Sequence, residues 1–384
     1  PITDRAAWER LAANAEFADL PKAAERLVKA GLAEQSDELY LDFSKTGNRD
    51  HWQNVAFARR ARVATFTLAE SIENKGRFLK PLEETIAALC AERTWVMPAH
   101  DRGLENFNGK VVEMDLGSTM LSWDVATADW LLGDKLSPAT RRLIRENLAR
   151  RTFDPFRDLV GGKRKSIFWL NATHNWNAVC LGGTVGSALA VLDAREDRSW
   201  FVAAGEQHIK SFLSGFTPDG YCSEGLGYWN YGFGYFVMLT EAIRQATGGK
   251  LDLLANPAAQ VPAQFALRAE ILNGIYPSIA DCSPGSHPDE RLMHYLCGRL
   301  QVHVPRWNEV DPAMAGRSLC ASAMYSFLPS PLPTLPGVEA DAAAGLRTWF
   351  KDGGVLICRP SPGGPQFAAC MKGGHNAEHH NHND

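Results

Sequence analysis

Three stretches, far apart in the sequence, carry side chains suited to moving protons and holding carboxylates. In NATHNWNAVC (171–180), His174 stands among Asn171, Asn175 and Asn177, with Trp169 and Trp176 nearby. Primary amides donate hydrogen bonds to carboxylates and sugar hydroxyls, and indole faces stack on sugar rings. The polar start of a helix with a satisfied histidine has the same composition, and one histidine is poor evidence of a site. In TPDGYCSEGLGYWNYGFGYF (217–236), Tyr221, Tyr228, Tyr231, Tyr235, Trp229 and Glu224 are set among five glycines. Glycine lets a backbone bend sharply and approach a ligand. An aromatic core loop is the plainer account, but so many phenols would then need buried hydroxyl partners that an open cleft supplies more readily. In GGHNAEHHNHND (373–384), four of the eleven histidines fall within the last ten residues. Interruption by Asn and Glu sets this cluster apart from a tag. On a strand, His380 and His382 would share a face and could join a zinc site with ligands from elsewhere. A solvated loop is the alternative.

Most of residues 1–325 reads as the helices that would have to position these stretches. In SPATRRLIRENLARR (137–151), Ser137 is a capping residue, Pro138 suits the first helical position, and Leu143, Ile144 and Leu148 share a face. Segments 57–72, 182–194, 206–216 and 233–246 repeat the pattern, which predicts a large all-α domain over 1–327. The texture changes at LPSPLPTLPGVEA (328–340), where four prolines in nine residues predict a linker. Short apolar runs separated by KDGG and PSPGGP come next, which is strand-and-hairpin chemistry over 341–384. About forty residues hold too few strands for an independent domain. The expectation is a β domain that begins here and continues past Asp384.

Composition narrows the function. The chain has 384 residues, 45% hydrophobic and 22% charged, as in ordinary globular proteins. A net charge of −4 weighs against a general nucleic-acid binder. No run of 18 apolar residues predicts a membrane span. The start, PITDRAAWER, lacks the pattern of a secretory signal, although prior removal of one is compatible with a chain beginning at Pro1. None of the eight cysteines forms a C-x-x-C pair, so they read mostly as small buried hydrophobes. The basic runs RRAR (59–62) and GGKRKS (161–166) offer local positive potential for a polyanion, or are ordinary solvated faces.

The motifs NATHNWNAVC, PDGYCSEGLGYWNYG and GGHNAEHHNHND together resemble the heparinase II/III-like polysaccharide lyases, a family of heparin/heparan sulfate lyases and alginate lyase relatives. The resemblance runs from about residue 50 to the end, and its last two motifs are the most specific. It implies an incomplete (α/α) toroid followed by an antiparallel β-sandwich, an anionic uronate polysaccharide (a glycosaminoglycan or alginate) as substrate, and a periplasmic or secreted location. Residue by residue, the family's first-motif histidine or asparagine falls on His174 or Asn175, its tyrosine on Tyr228, and its late histidine on His380, with His379 the alternative. His382 matches a structural zinc ligand of some members, whose other ligands would lie beyond Asp384; the chemistry itself requires no cofactor. Asn177 departs from the family pattern, standing where some members carry an acid. Asn171, Trp176, Asn177, Glu224, Trp229, Tyr231 and His379 are the expected substrate contacts.

Uronate chains can be cut by β-elimination, in which the C5 proton leaves and the C4–O4 bond breaks to give an unsaturated end. The adjacent carboxylate makes that proton a poor acid, so the site must neutralise the carboxylate, supply a base at C5 and protonate O4. His174 and Asn175 suit the first task. Tyr228 suits the last, and also the base role if both atoms lie on one face. His380 is the natural base for the opposite epimer. Two rivals stand beside this reading. A helical-barrel uronate hydrolase would need paired carboxyls, for which Asp101, Asp124, Asp219 and Glu224 are candidates. A non-catalytic glycan-binding protein would use the same aromatics and amides without chemistry.

Overall fold

The computed structural model describes residues 1–384 apart from 165–166, 336–344, 362, 365, 375–376, 379 and 381–384. The fold is mainly helical, with a small three-stranded antiparallel sheet near the C-terminus. Among the described residues no helix is long and apolar enough to cross a membrane. The chain divides into two compact units, one formed by 1–167, 180–204 and 313–327, the other by 168–179, 205–312 and 328–384. One crossing falls between Phe327 and Leu328, where the proline-rich stretch begins.

The first unit is built on α1 (Asp50–Glu73), which packs against Leu20–Ala30, Leu79–Ala91, α2 (Leu116–Leu132) and Leu319–Ser326. Asn74 ends α1 in the left-handed conformation at φ 51°, where its N–H reaches the Glu70 carbonyl. Asp115 and Ser118 close a reciprocal cap at the start of α2. Helix α3 (Pro138–Leu148) begins as the sequence predicts, with Ser137 accepting from the Thr140 N–H.

The RRAR run is neither a polyanion patch nor a solvated face, because Arg59, Arg60 and Arg62 are all buried. Arg60 donates to the carbonyls of Gly117 and Trp95, and Arg62 to those of Leu27 and Gly31. Arg59 pairs with Glu92. These guanidiniums tie α1 to its neighbouring helices and turns through backbone carbonyls. In the second basic run, Lys163 and Arg164 pair with Asp158, and 165–166 lie outside the described residues. All eight cysteines are free, six of them buried.

In the second unit, β1 (Arg347–Phe350), β2 (Val355–Cys358) and β3 (Ala369–Lys372) pair in sequence order, with KDGG turning between the first two. Thr348, Phe350, Val355 and Ile357 are buried on one face. Phe350 meets the rings of Tyr221 and Phe265 at 5.5 and 5.7 Å, which ties the sheet to the helical part of this unit. Trp349, Leu356 and Met371 stand in register on the other face.

Candidate functional site

The residues of the candidate site all belong to the second unit. Glu224 is buried, 5% exposed, at the head of the short helical turn Gly225–Tyr228. It lies against the first turn of α4 (Asn175–Val191), accepting from the Asn175 N–H at 3.2 Å and from Asn175 Nδ2 at 2.8 Å. A carboxylate there completes the orphan N–H and faces the positive end of the helix dipole. Gly232 makes this contact possible, since a Cβ on it would sit 2.9 Å from the Asn175 Cβ. A π-helical turn, Trp229–Phe233, succeeds Tyr228 and leads into α5 (Gly234–Ala246). Such turns re-aim side chains and are frequent at functional sites.

His380 completes the cluster. Its ring stacks on that of Tyr228, with centroids 4.3 Å apart and planes at 19°. Nε2 lies 3.2 Å from Glu224 Oε1, and Nδ1 lies 2.6 Å from Asp281 Oδ2. Each ring nitrogen thus has a carboxylate oxygen within hydrogen-bonding reach. His380 occupies a turn with φ 57°, not the strand that would set it on one face with His382. Histidine enters that left-handed region more readily than bulky or branched residues. The two carboxylates are brought up by loops that meet at Gly225. Its φ is 81°, and a Cβ there would lie 2.4 Å from the Ile279 carbonyl oxygen.

Of the residues chosen from sequence, Asn175, Glu224, Tyr228 and His380 thus form one connected group. His174 adjoins Asn175 in the chain, and its ring centroid is 6.3 Å from that of Phe168. Phe168 also packs on Trp176 at 4.8 Å, and Tyr231 meets Tyr235 edge-on at 5.6 Å. Asn171 is exposed at the end of a short helical turn, Phe168–Asn171.

Two expected substrate contacts are placed elsewhere. Trp229 is wholly buried, its indole donating to the Pro262 carbonyl and its ring stacked on Phe233, so no face is left for a sugar. Asn177 is equally buried, and its amide joins the Trp169 and Leu170 carbonyls, holding the turn before α4. His379 and His382 lie outside the described residues. Among the described residues no group of three or more His, Cys, Asp or Glu side chains gathers as a metal site. His380, Glu224 and Asp281 do not make one, because the ring's nitrogens point in different directions, one to each carboxylate.

Asp281 is the residue that reading the sequence missed. It sits in SIADCSPG (278–285), an irregular stretch with no periodicity to mark it. The other candidate acids have local duties. Asp101 accepts from the Asn106 and Phe107 N–H groups, and Asp219 from the Thr217 hydroxyl and the Asp352 N–H. Asp124 caps Leu319–Ser326, accepting from the Cys320 N–H. Compared with protein-family models and with curated proteins, the chain matches none.

Proposed function

We propose that this chain is a polysaccharide lyase that cleaves a uronate-containing polysaccharide by β-elimination, with Tyr228 and His380 at the reacting centre. The observation that carries the reading is the stacked Tyr228–His380 pair, whose two rings come from motifs at distant points of the sequence. A phenol and an imidazole held together are the two kinds of side chain that proton abstraction and leaving-group protonation call for. His174 and the second amide hydrogen of Asn175 are the donors assigned to the substrate carboxylate; the first is committed to Glu224. On this reading the helical part is an incomplete (α/α) toroid and the small sheet opens a β-sandwich. The substrate is a glycosaminoglycan or alginate-like polyanion met in a periplasmic or secreted setting.

One observation favours the hydrolase rival. Glu224 and Asp281 are two carboxylates separated by little more than an imidazole ring, and paired carboxyls are what glycoside hydrolysis needs. The product decides between them. Incubation with a panel of uronate polysaccharides should yield ultraviolet-absorbing unsaturated ends; new reducing ends without unsaturation would replace the lyase reading with hydrolysis.

A further inference from the structure

Helices α1 and α2 leave a gap between them in the first unit. Phe57 and Arg60 of α1, Leu121 and Asp124 of α2, and Arg317 and Ser318 line a cavity of about 220 Å³. An apolar cavity of about 150 Å³ holds benzene, so this one has room for a somewhat larger molecule. Phe57 and Arg317 are exposed, which leaves it open to solvent. Two opposite charges on its wall lack a counterion. Asp124 is 9% exposed, and its Oδ1 accepts from the Cys320 N–H at 2.9 Å and from the Ser318 hydroxyl at 3.4 Å. Among the described residues neither Asp124 nor Arg317 joins an ion pair. Burial raises the Asp124 carboxyl to about 6, low enough to leave it ionised at neutral pH, and a buried charge without a partner is costly. Arg317 adjoins Ser318 in the chain, so the two charges border the same part of the cavity. Arg60 does not supply the missing cation. Its terminal nitrogens donate to the Gly117 and Trp95 carbonyls, and Glu92 and Asp115 act on its charge. Its Nε is buried with no hydrogen-bond partner among the described residues.

We propose that this cavity binds a small α-amino acid with an apolar side chain, its ammonium on Asp124, its carboxylate on Arg317 and its side chain along Phe57 and Leu121. The ammonium supplies the charge that the buried carboxylate lacks, and hydrogen bonds between ionised groups are the strong ones. A guanidinium presents a fork of donors that fits a carboxylate. Arg60 Nε is a spare donor on the same wall. The ligand class follows from two opposite charges standing close together, since an α-amino acid carries its ammonium and its carboxylate on one carbon. A simple amine would leave Arg317 unanswered, and a simple acid would meet the Asp124 carboxylate. Every residue involved belongs to the first unit, whereas the lyase reading rests on residues of the second.

Calorimetry on the full chain at neutral pH, with L-leucine and L-phenylalanine at up to millimolar concentration, is the test. At least one should bind. Each parent has two analogues that carry a single charge, isoamylamine and isocaproate for leucine, phenethylamine and hydrocinnamate for phenylalanine. Both analogues of the binder should bind about tenfold more weakly or worse, the least that a hydrogen bond between charged groups contributes. Asp124→Asn keeps an acceptor for the Cys320 N–H. It should weaken the amino acid by about tenfold or more and leave the acid analogue no weaker. Arg317→Gln should weaken the amino acid likewise and leave the amine analogue no weaker, so each variant carries its own control for folding. Failure of both amino acids to bind overturns the proposal. So does an analogue that binds as tightly as its parent, or an amino acid affinity unchanged in either variant. A variant that weakens the amino acid and both analogues alike would show its residue to be structural and overturn the assigned contact.

Discussion

The imidazole of His380 lies flat against the phenol of Tyr228, ring centroids 4.3 Å apart, while its nitrogens reach Glu224 and Asp281 on either side. The ring therefore touches three residues from two other parts of the chain, and each contact constrains a different property of it. The carboxylates fix its orientation, and the stacking fixes its distance from the phenol. Glu224, the buried member of the group, is held in turn by Asn175.

Removing only the Tyr228 hydroxyl separates chemistry from binding. Tyr228→Phe keeps the ring that packs on His380 and loses the proton carrier. Unsaturated-end formation should fall by about 10²–10⁴ fold, the usual contribution of a positioned acid–base group. Oligosaccharide affinity measured by calorimetry should change little. Turnover that survives the substitution would exclude Tyr228 from the chemistry, and loss of binding together with turnover would point to a role in holding the sugar.

Asn175 gives a prediction on stability. Its Nδ2 donates to buried Glu224, while its Oδ1 accepts no hydrogen bond. Asn175→Ala removes a donor from the carboxylate and at the same time removes an unsatisfied acceptor, so the net cost should be near the low end, about 1 kcal/mol. Asn175→Asp places a second carboxylate against the first and should cost more, about 3 kcal/mol or a forced protonation. Urea denaturation at neutral pH ranks the two; an aspartate variant more stable than the alanine variant would contradict this account of the contact.

Much of this arrangement is legible in residue types, and the remainder is fixed by tertiary approach. Helix α3 is readable because capping serine, N1 proline and apolar spacing are local signals. The KDGG turn and its flanking strands are readable for the same reason. Tyr228 and His380 stand out because phenol and imidazole are uncommon in such dense company. Asp281 leaves no mark, since its importance arises only where Gly225 lets the Ile279 loop approach. The RRAR run misleads because charge pattern alone cannot tell a solvated arginine from one capping buried carbonyls. Trp229 misleads because the π-helical turn sends its indole to Pro262, away from Tyr228's neighbours.

Gly225 and Gly227 form a matched pair for testing that approach. Alanine at Gly225 would have to adopt φ 81° and would place its Cβ 2.4 Å from the Ile279 carbonyl oxygen. The left-handed conformation alone costs roughly 1–2 kcal/mol, and moving a backbone carbonyl adds to it, so Gly225→Ala should lose about 2–4 kcal/mol. A Cβ on Gly227, two residues on, meets nothing within 4 Å. Gly227→Ala should fall within about 0.5 kcal/mol of wild type, as most exposed substitutions do. Equal losses for both in urea unfolding would mean that the Gly225–Ile279 contact does not hold the loops.

The first unit supplies a pH prediction that does not involve the candidate site. Burial raises the carboxyl of Asp124 from its ordinary 3.8 to about 6, and the hydrogen bonds from Cys320, Leu319 and Ser318 offset only part of that effect. A carboxyl with a raised folded-state value binds its proton more tightly when folded than when unfolded. Between about pH 4 and 6 the folded state therefore holds more protons, and stability must fall as pH rises through this window. The stabilisation is fully present below about pH 4 and lost above about 6, the reverse of an acid held in an ion pair. A shift of about two units corresponds to roughly 2–3 kcal/mol at about 1.36 kcal/mol per unit. Asp124→Asn keeps an acceptor for the Cys320 N–H and has no charge to bury. Other groups titrate over the same range, so the readout is the difference between the two proteins. Relative to wild type, the variant should gain stability as pH rises from about 4 to about 6.5 and then level off. A difference that stays constant across that range in urea unfolding would show that Asp124 titrates alike in the folded and unfolded chain.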